Sequence, residues 1–366
     1  MIRLFNTYIS PKSGEKLQKL LLEGRVSSGK KSFEFEKKLQ KKFGWKFCKT
    51  VNSGTSALHL ALKILNIGSG DEVIIPSQTF VATGLAVLYT GAKVVFADVI
   101  LENGNICPQE IKKKITPLTK AIIAVHWGGE PSDLSQIKKI CIENKIFLVD
   151  DCAHALGSKY QNKYIGSKFS DLSCFSFQAI KHITCGDGGA IVTRNEYYSK
   201  KISKKRWFGI DRDFDKLGND GERSYNLKEI GFKYHLSDLN AVLGIENLVN
   251  IEKRLEKRRK IAKTYDENFS NFSDLQLLKN SKENNSSYWL YGMRLRSRNN
   301  FINFMKSNGI ETSIVHRGID RNEIFGSKED LPNQRILDDT LVHIPIHDNL
   351  NNDEVWKIIE TIKKGW

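Results

Sequence analysis

The stretch "CFSFQAIKHITCGDGG", residues 174–189, sets Lys181 between a strand-like apolar run and a group of glycines. A lysine amine becomes a nucleophile, or an imine partner for an aldehyde, when its surroundings favour the neutral form. Gly186, Gly188 and Gly189 would let the backbone pass close to a bulky group, and Ser176 offers a hydroxyl to a phosphate. The plain alternative is a surface lysine beside a turn. In "FLVDDCAHALG" (147–157) two adjacent acids end an apolar strand, so their side chains point to opposite sides. A carboxylate at that depth needs a positive partner. His154 follows Asp151 by three residues and could lie over the same pocket; an ordinary loop with an Asp cap fits equally well. "VNSGTSALHLALKIL" (51–65) brings Asn52, Ser53, Gly54 and Thr55 to the start of an apolar helical pattern. Free amides and the helix dipole hold an anion there, although an N-cap by Ser53 or Thr55 would also account for the motif.

Three coordinated features, an anion cradle, a strand-end acid and a lysine, match what pyridoxal phosphate needs. The phosphate is anchored, the acid keeps the ring nitrogen protonated, and the lysine holds the aldehyde as an imine. A nucleotide P-loop is not supported, because no G-x-x-x-x-G-K-[ST] occurs, and no G-x-G-x-x-G follows an expected strand. The six cysteines are scattered without zinc-binding spacing, so no metal is expected and they read as reduced, buried, small apolar residues.

The elements that must position these residues are short apolar runs: 71–77, 92–99, 120–127 and 145–151. Helix-compatible stretches separate them. This alternation predicts an α/β fold with a mainly parallel sheet covered on both faces. Functional groups collect at the carboxyl ends of such strands, where Pro76, His126 and Asp151 fall. One long helix is expected from residue 236, with Leu236, Leu239, Val242, Ile245, Val249 and Leu255 on one apolar face. A smaller unit follows, in which Trp289, Tyr291, Met293 and Leu295 alternate as a half-buried strand. Phe301, Phe304 and Met305 then take helical spacing ahead of a stop at Gly309. "KNSKENNSS" reads as a polar loop. The division expected is 1–250 for a large cofactor-binding domain and 251–366 for a smaller C-terminal α+β domain.

An apolar fraction of 40% and a charged fraction of 27% are those of a soluble globular chain. No apolar run approaches a membrane span, and the N-terminus lacks the pattern of a secretory signal, so cytoplasmic residence is the expectation. The formal charge of +15 invites a nucleic-acid reading, but the lysines are spread along helical faces and no such partner is expected. Positive charge equally suits a phosphorylated small substrate.

"NSGTSALHLAL", "PSQTFVAT", "VDDCAHALGS", "FSFQAIKHITCGDGG" and "GFKYHLSDLNAVLG" resemble, in order, the signature blocks of the DegT/DnrJ/EryC1/StrS sugar aminotransferases. The resemblance covers most of the first 245 residues and continues more loosely through "SYWLYGMRLR" and "GIETSIVHRG". It implies a fold-type I pyridoxal phosphate enzyme working as a homodimer with active sites at the interface. On this resemblance Lys181 carries the cofactor and Asp151 pairs with its ring nitrogen. His154 lies beside the ring hydroxyl, and Ser53, Gly54, Thr55 and Ser176 lie toward the phosphate. Phe80 stacks on one face of the ring with Ala153 against the other, and Asp150 is the structural acid of the pair. Lys233 stands where the family commonly has an Asn that reaches the neighbouring subunit's cofactor phosphate. The implied reaction moves an amino group from an amino acid, glutamate in most of the family, to a nucleotide-linked keto-deoxy sugar. The block around Lys233 looks closer to the family's C4 branch. Arg206, Lys233, His316 and Arg317 are candidates for the nucleotide's phosphates. The alternatives are a lyase or dehydratase of the same fold, or a non-catalytic sensor; the family's dehydratases replace the lysine by histidine, which the retention of Lys181 argues against.

Overall fold

Each expected apolar run forms a strand, and together they build one twisted sheet. The computed structural model describes residues 1–166, 168–211, 227–281, 283–326 and 329–366. In chain order the described strands are β1 (Phe47–Val51), β2 (Glu72–Pro76), β3 (Lys93–Ala97), β4 (Thr119–Val125), β5 (Phe147–Asp151), β6 (Lys159–Tyr160) and β7 (Lys163–Tyr164). They continue as β8 (Leu172–Ser176), β9 (Gly189–Thr193), β10 (Leu275–Leu277), β11 (Asn284–Asn285), β12 (Tyr291–Leu295) and β13 (Leu341–Ile344). The main sheet runs β1-β9-β8-β5-β4-β2-β3. Its pairs β2–β3, β2–β4, β4–β5 and β5–β8 are parallel, and β9 runs against both of its neighbours.

The side-chain period of two sorts the sheet's residues into two cores. Ile74, Ile122 and Leu148 join the apolar layer that includes Phe35 and Leu39 of helix Lys30–Phe43. Ile75, Ile123 and Val149 join the opposite layer, under helix Gly54–Ile64. That helix is apolar nearly all round and buried from Ser56 to Leu62, as expected of one packed on several sides. The same alternation carries past Val149: Asp150 follows Leu148's face and Asp151 follows Val149's.

The second sheet, β10-β12-β13, is antiparallel. Tyr265, Met293, Phe301, Met305 and Ile358 fill its core, and Ile2 packs there too, bridged to Ile310. Tyr291, Met293 and Leu295 are buried at alternate positions of β12, as the pattern predicts.

Two expectations are corrected. The helix from residue 236 is two helices, Asp238–Leu248 and Ile251–Phe269. Asn250 breaks the run in the left-handed region, at φ 61°, a conformation that Asn tolerates better than most residues. Val249 is consequently 53% exposed instead of lying on the apolar face. The polar loop 279–287 includes a two-residue strand, Asn284–Asn285 paired with Lys159–Tyr160; Lys282 of that loop lies outside the described residues.

Arg206, a candidate for the substrate's phosphates, serves the fold instead. Its Nη1 donates to Glu36 Oε1 at 2.5 Å and to the Thr50 carbonyl at 2.6 Å, and the residue is 9% exposed. Removing one member of a buried pair strands the other charge. Arg206→Ala is therefore expected to cost about 3–5 kcal/mol of stability, read as a lower denaturant midpoint, with no direct loss of a substrate contact.

Candidate active site

The carboxyl ends of β5 and β8 open onto a cavity of about 360 Å³. Ser53, Gly54, Thr55, Phe80, Asp151, Ala153, His154, Ser176 and Lys181 all line it. Nine of the ten residues named from sequence are thus brought together. The tenth, Lys233, is exposed; its carbonyl accepts from Asn52 Nδ2 at 3.3 Å, and its side chain does not reach this chain's cavity.

Ser53 caps helix Gly54–Ile64 through Ser56 N at 3.0 Å. The cap and the anion cradle therefore coexist, since capping consumes the Ser56 amide and leaves those of Gly54 and Thr55 at the mouth of the helix. Glycine is required at 54 because a Cβ there would stand 2.9 Å from Ser176 Cβ. The close approach that brings Ser176 to the helix start would be forced apart. Gly54→Ala is expected to destabilise the protein by about 1–3 kcal/mol through overpacking, seen as a lower melting temperature together with weaker cofactor retention. The glycines after Lys181 act differently from expectation. Gly188 lines the cavity, but Gly189 lets β9 pass the Ser53 carbonyl, which a Cβ would meet at 2.5 Å.

The two acids separate as strand alternation demands. Asp150 Oδ2 accepts from Ser170 Oγ and from Ser173 Oγ, the latter at 3.1 Å, with His126 Nε2 at 3.8 Å. Asp151 Oδ2 accepts from Thr83 Oγ1 at 2.7 Å and Oδ1 from the Ala153 amide at 3.1 Å. Burial pushes the Asp151 carboxyl up despite these donors, so a cation placed beside it relieves a real cost. His126, expected at the shared site, lies beneath it, fully buried. His126, Asp150 and Cys152 gather within 4.8 Å, a spacing open to a metal ion. The hydrogen bond at the other ring nitrogen argues against one: His126 Nδ1 accepts from Ser132 N at 3.1 Å, and a metal on Nε2 would need Nδ1 to carry a proton facing that amide.

Lys181 sits half-buried on a loop anchored on both flanks. Trp289 Nε1 donates to the Ile180 carbonyl at 3.0 Å, and Arg254 Nη1 donates to the His182 carbonyl at 2.8 Å. Burial lowers the amine to about 7, partly opposed by the Asp151 carboxylate. Burial also holds the His154 imidazole neutral, well below its usual range. Phe80, 52% exposed, offers a bare aromatic face in the cavity, with the His316 ring centroid 5.2 Å away. His316, one of the phosphate candidates, thus lines the same cavity, whereas Arg317 is exposed outside its lining.

Other contributors were missed. Trp289, Phe5, Thr83 and Gln178 line the cavity as well. Trp289 stacks on His154 with ring centroids 3.8 Å apart and planes 17° apart. Read from sequence it is one more apolar position of a strand, and only its place before β12 distinguishes it.

An anion cradle, a buried acid, a neutral imidazole, a bare aromatic face and a lysine near neutral pKa define a pyridoxal phosphate enzyme, and the residues present fit that group. The comparisons agree. The chain belongs to the DegT/DnrJ/EryC1/StrS aminotransferase family, whose model matches residues 8–363. GDP-perosamine synthase of Escherichia coli O157:H7 is 33% identical over 342 residues, covering 92% of this chain and 91% of that protein. The sugar aminotransferase CalS13 from Micromonospora echinospora superposes with a TM-score of 0.95 at 29% identity, covering all of both chains. The putative sugar aminotransferase Spr1654 from Streptococcus pneumoniae, solved in a PLP form, gives 0.91 at 26% identity, over 99% of this chain and 97% of that one. The fold is that of the family's solved members and the cofactor is pyridoxal phosphate. Among the described residues no helix is long and apolar enough to cross a membrane.

Proposed function

We propose that this chain moves an amino group from an amino acid, glutamate, to the keto carbon of a deoxy sugar carried on a nucleoside diphosphate. The observation that carries the reading is the convergence of Lys181, Asp151 and the amides at Gly54 and Thr55 on one cavity of about 360 Å³. The similarity to a GDP-perosamine synthase supports a nucleotide-linked acceptor, and the formal charge of +15 suits a diphosphate.

Pyridoxal phosphate, when bound, supplies the electron sink for the carbanion that amino transfer requires. The residues do the rest. Ser53, Gly54, Thr55 and Ser176 hold the phosphate at the helix start. Asp151 would stabilise a proton on the ring nitrogen, His154 would serve the ring hydroxyl, and Phe80 and Ala153 would bracket the ring. Lys181, when free, would take the proton from the donor's α-carbon as general base and return it as general acid. Its amine works as base only when neutral. With its pKa lowered from 10.5 to about 7, the rate of the glutamate half-reaction is expected to fall about tenfold per pH unit below that value, and a single-turnover pH profile checks this.

The site is completed, on this reading, by a second copy of the chain. Ile230 is 81% exposed and Leu227 51% exposed close to Lys233, an apolar surface beside an outward-facing cation. Lys233 would then reach the partner's cofactor phosphate as a charge without the geometry of an amide. On the same reading the large cofactor-binding domain spans 1–250 and the smaller one 251–366, and the working compartment is the cytoplasm. A panel of nucleotide-linked 3-keto and 4-keto deoxy sugars assayed with glutamate tests the reaction. One acceptor should yield amino sugar and 2-oxoglutarate in equal amounts. Loss of a sugar hydroxyl without amine transfer, or no turnover with any member, would overturn it.

A further inference from the structure

Resting on that reading, we propose that Trp289 is the seat of the Lys181 amine whenever that amine is not joined to the cofactor, holding it as an ammonium on its ring face. Lys181 Nζ stands 3.5 Å from the Trp289 ring centroid, well inside the range in which an indole face attracts a cation. Trp289 is 2% exposed, so water does little to screen the contact. The indole is held by three neighbours. Its N–H donates to the Ile180 carbonyl at 3.0 Å, His154 stacks on it at 3.8 Å, and Phe5 stacks at 5.3 Å and 25°. Residues 180 and 181 therefore bind the same ring, one through its N–H and the next through its π face, which fixes where the released amine comes to rest.

Asp151 attracts the amine as well and favours its charged form, but its oxygens already accept from Thr83 and Ala153, and the lone pairs that remain are the ones the cofactor ring needs. Asp187 and Cys174 line the same cavity, the thiol kept protonated by burial. The remaining titratable groups around the amine are imidazoles that burial keeps neutral: His316 at about 4, His182 at about 3 and His154 well below its usual range. Burial pulls the amine toward the neutral form, and the Asp151 carboxylate and the indole face oppose it. The balance keeps both protonation states within reach near neutral pH, which general acid and base work requires.

The test reads the amine itself. The enzyme is loaded with pyridoxamine phosphate, which leaves Lys181 free, and labelled with acetic anhydride across pH. Mass spectrometry of the Lys181 peptide then gives its titration midpoint. Trp289→Leu is expected to lower that midpoint by about one pH unit and Trp289→Phe by about half as much. Tryptophans carrying one, two and three fluorines, which weaken the π face with little change of shape, should lower it stepwise in the natural sequence and not at all in Trp289→Phe. This series keeps the test decisive if Trp289→Leu does not fold. A midpoint indifferent to fluorine content would overturn the seat. Because labelling does not depend on turnover, a fluorine trend in a protein that cannot use glutamate would sink the proposed reaction and leave the seat standing.

Discussion

Lys181→Ala is expected to reduce turnover by about 10⁴-fold or more, because on the proposed reading one substitution removes both the covalent anchor and the general acid and base. The variant should still take up pyridoxal phosphate, since the helix start at Gly54, the Asp151 carboxylate and the Phe80 face are untouched. Its absorbance should then be that of the free aldehyde and not of a lysine-linked cofactor. The fold should hold: the loop keeps its anchors from Trp289 to the Ile180 carbonyl and from Arg254 to the His182 carbonyl. Steady-state amino transfer by this variant within about tenfold of wild type would show that another base does the work.

Asp151→Asn is expected to lower turnover by about 10²–10³-fold, the usual scale for removing one preorganised electrostatic group. The amide keeps the shape: its oxygen can still accept from the Ala153 amide, while its Nδ2 donates to Thr83 Oγ1 instead of accepting from it. What it loses, on the proposed reading, is the negative charge that favours a protonated ring nitrogen. Since burial already pushes the Asp151 carboxyl up, the neutral Asn should cost the fold little or even stabilise it in the absence of cofactor. Stability and activity are thus predicted to move apart. Unfolding curves and single-turnover rates on the same preparation check both.

The sequence made the chemistry-bearing residues legible because their types are unusual for their places. Asp150 and Asp151 end an apolar strand, and Lys181 follows another, so both positions carry a burial cost that a site explains. Strand alternation turns the two acids to opposite sides, and the structure turns Asp151 to the cavity and Asp150 to Ser170 and Ser173. Trp289 and Phe5 were not legible because large apolar residues are the ordinary material of cores. Only the fold reveals that Trp289, two residues ahead of the central strand of the small sheet, touches Lys181. The helix break at Asn250 escaped for a related reason. The apolar spacing runs through it, and the left-handed turn rests on a single residue that is also acceptable within a helix. Arg206 illustrates the converse, a cation whose fate is decided by Glu36, 170 positions away in the chain.

The most direct test of the central claim is chemical. Borohydride reduction of the enzyme as purified with pyridoxal phosphate, followed by peptide mass spectrometry, should fix the phosphopyridoxyl group on Lys181 and leave the Lys181→Ala variant unlabelled. Modification of a different lysine, or none at all on a cofactor-loaded protein, would contradict the account.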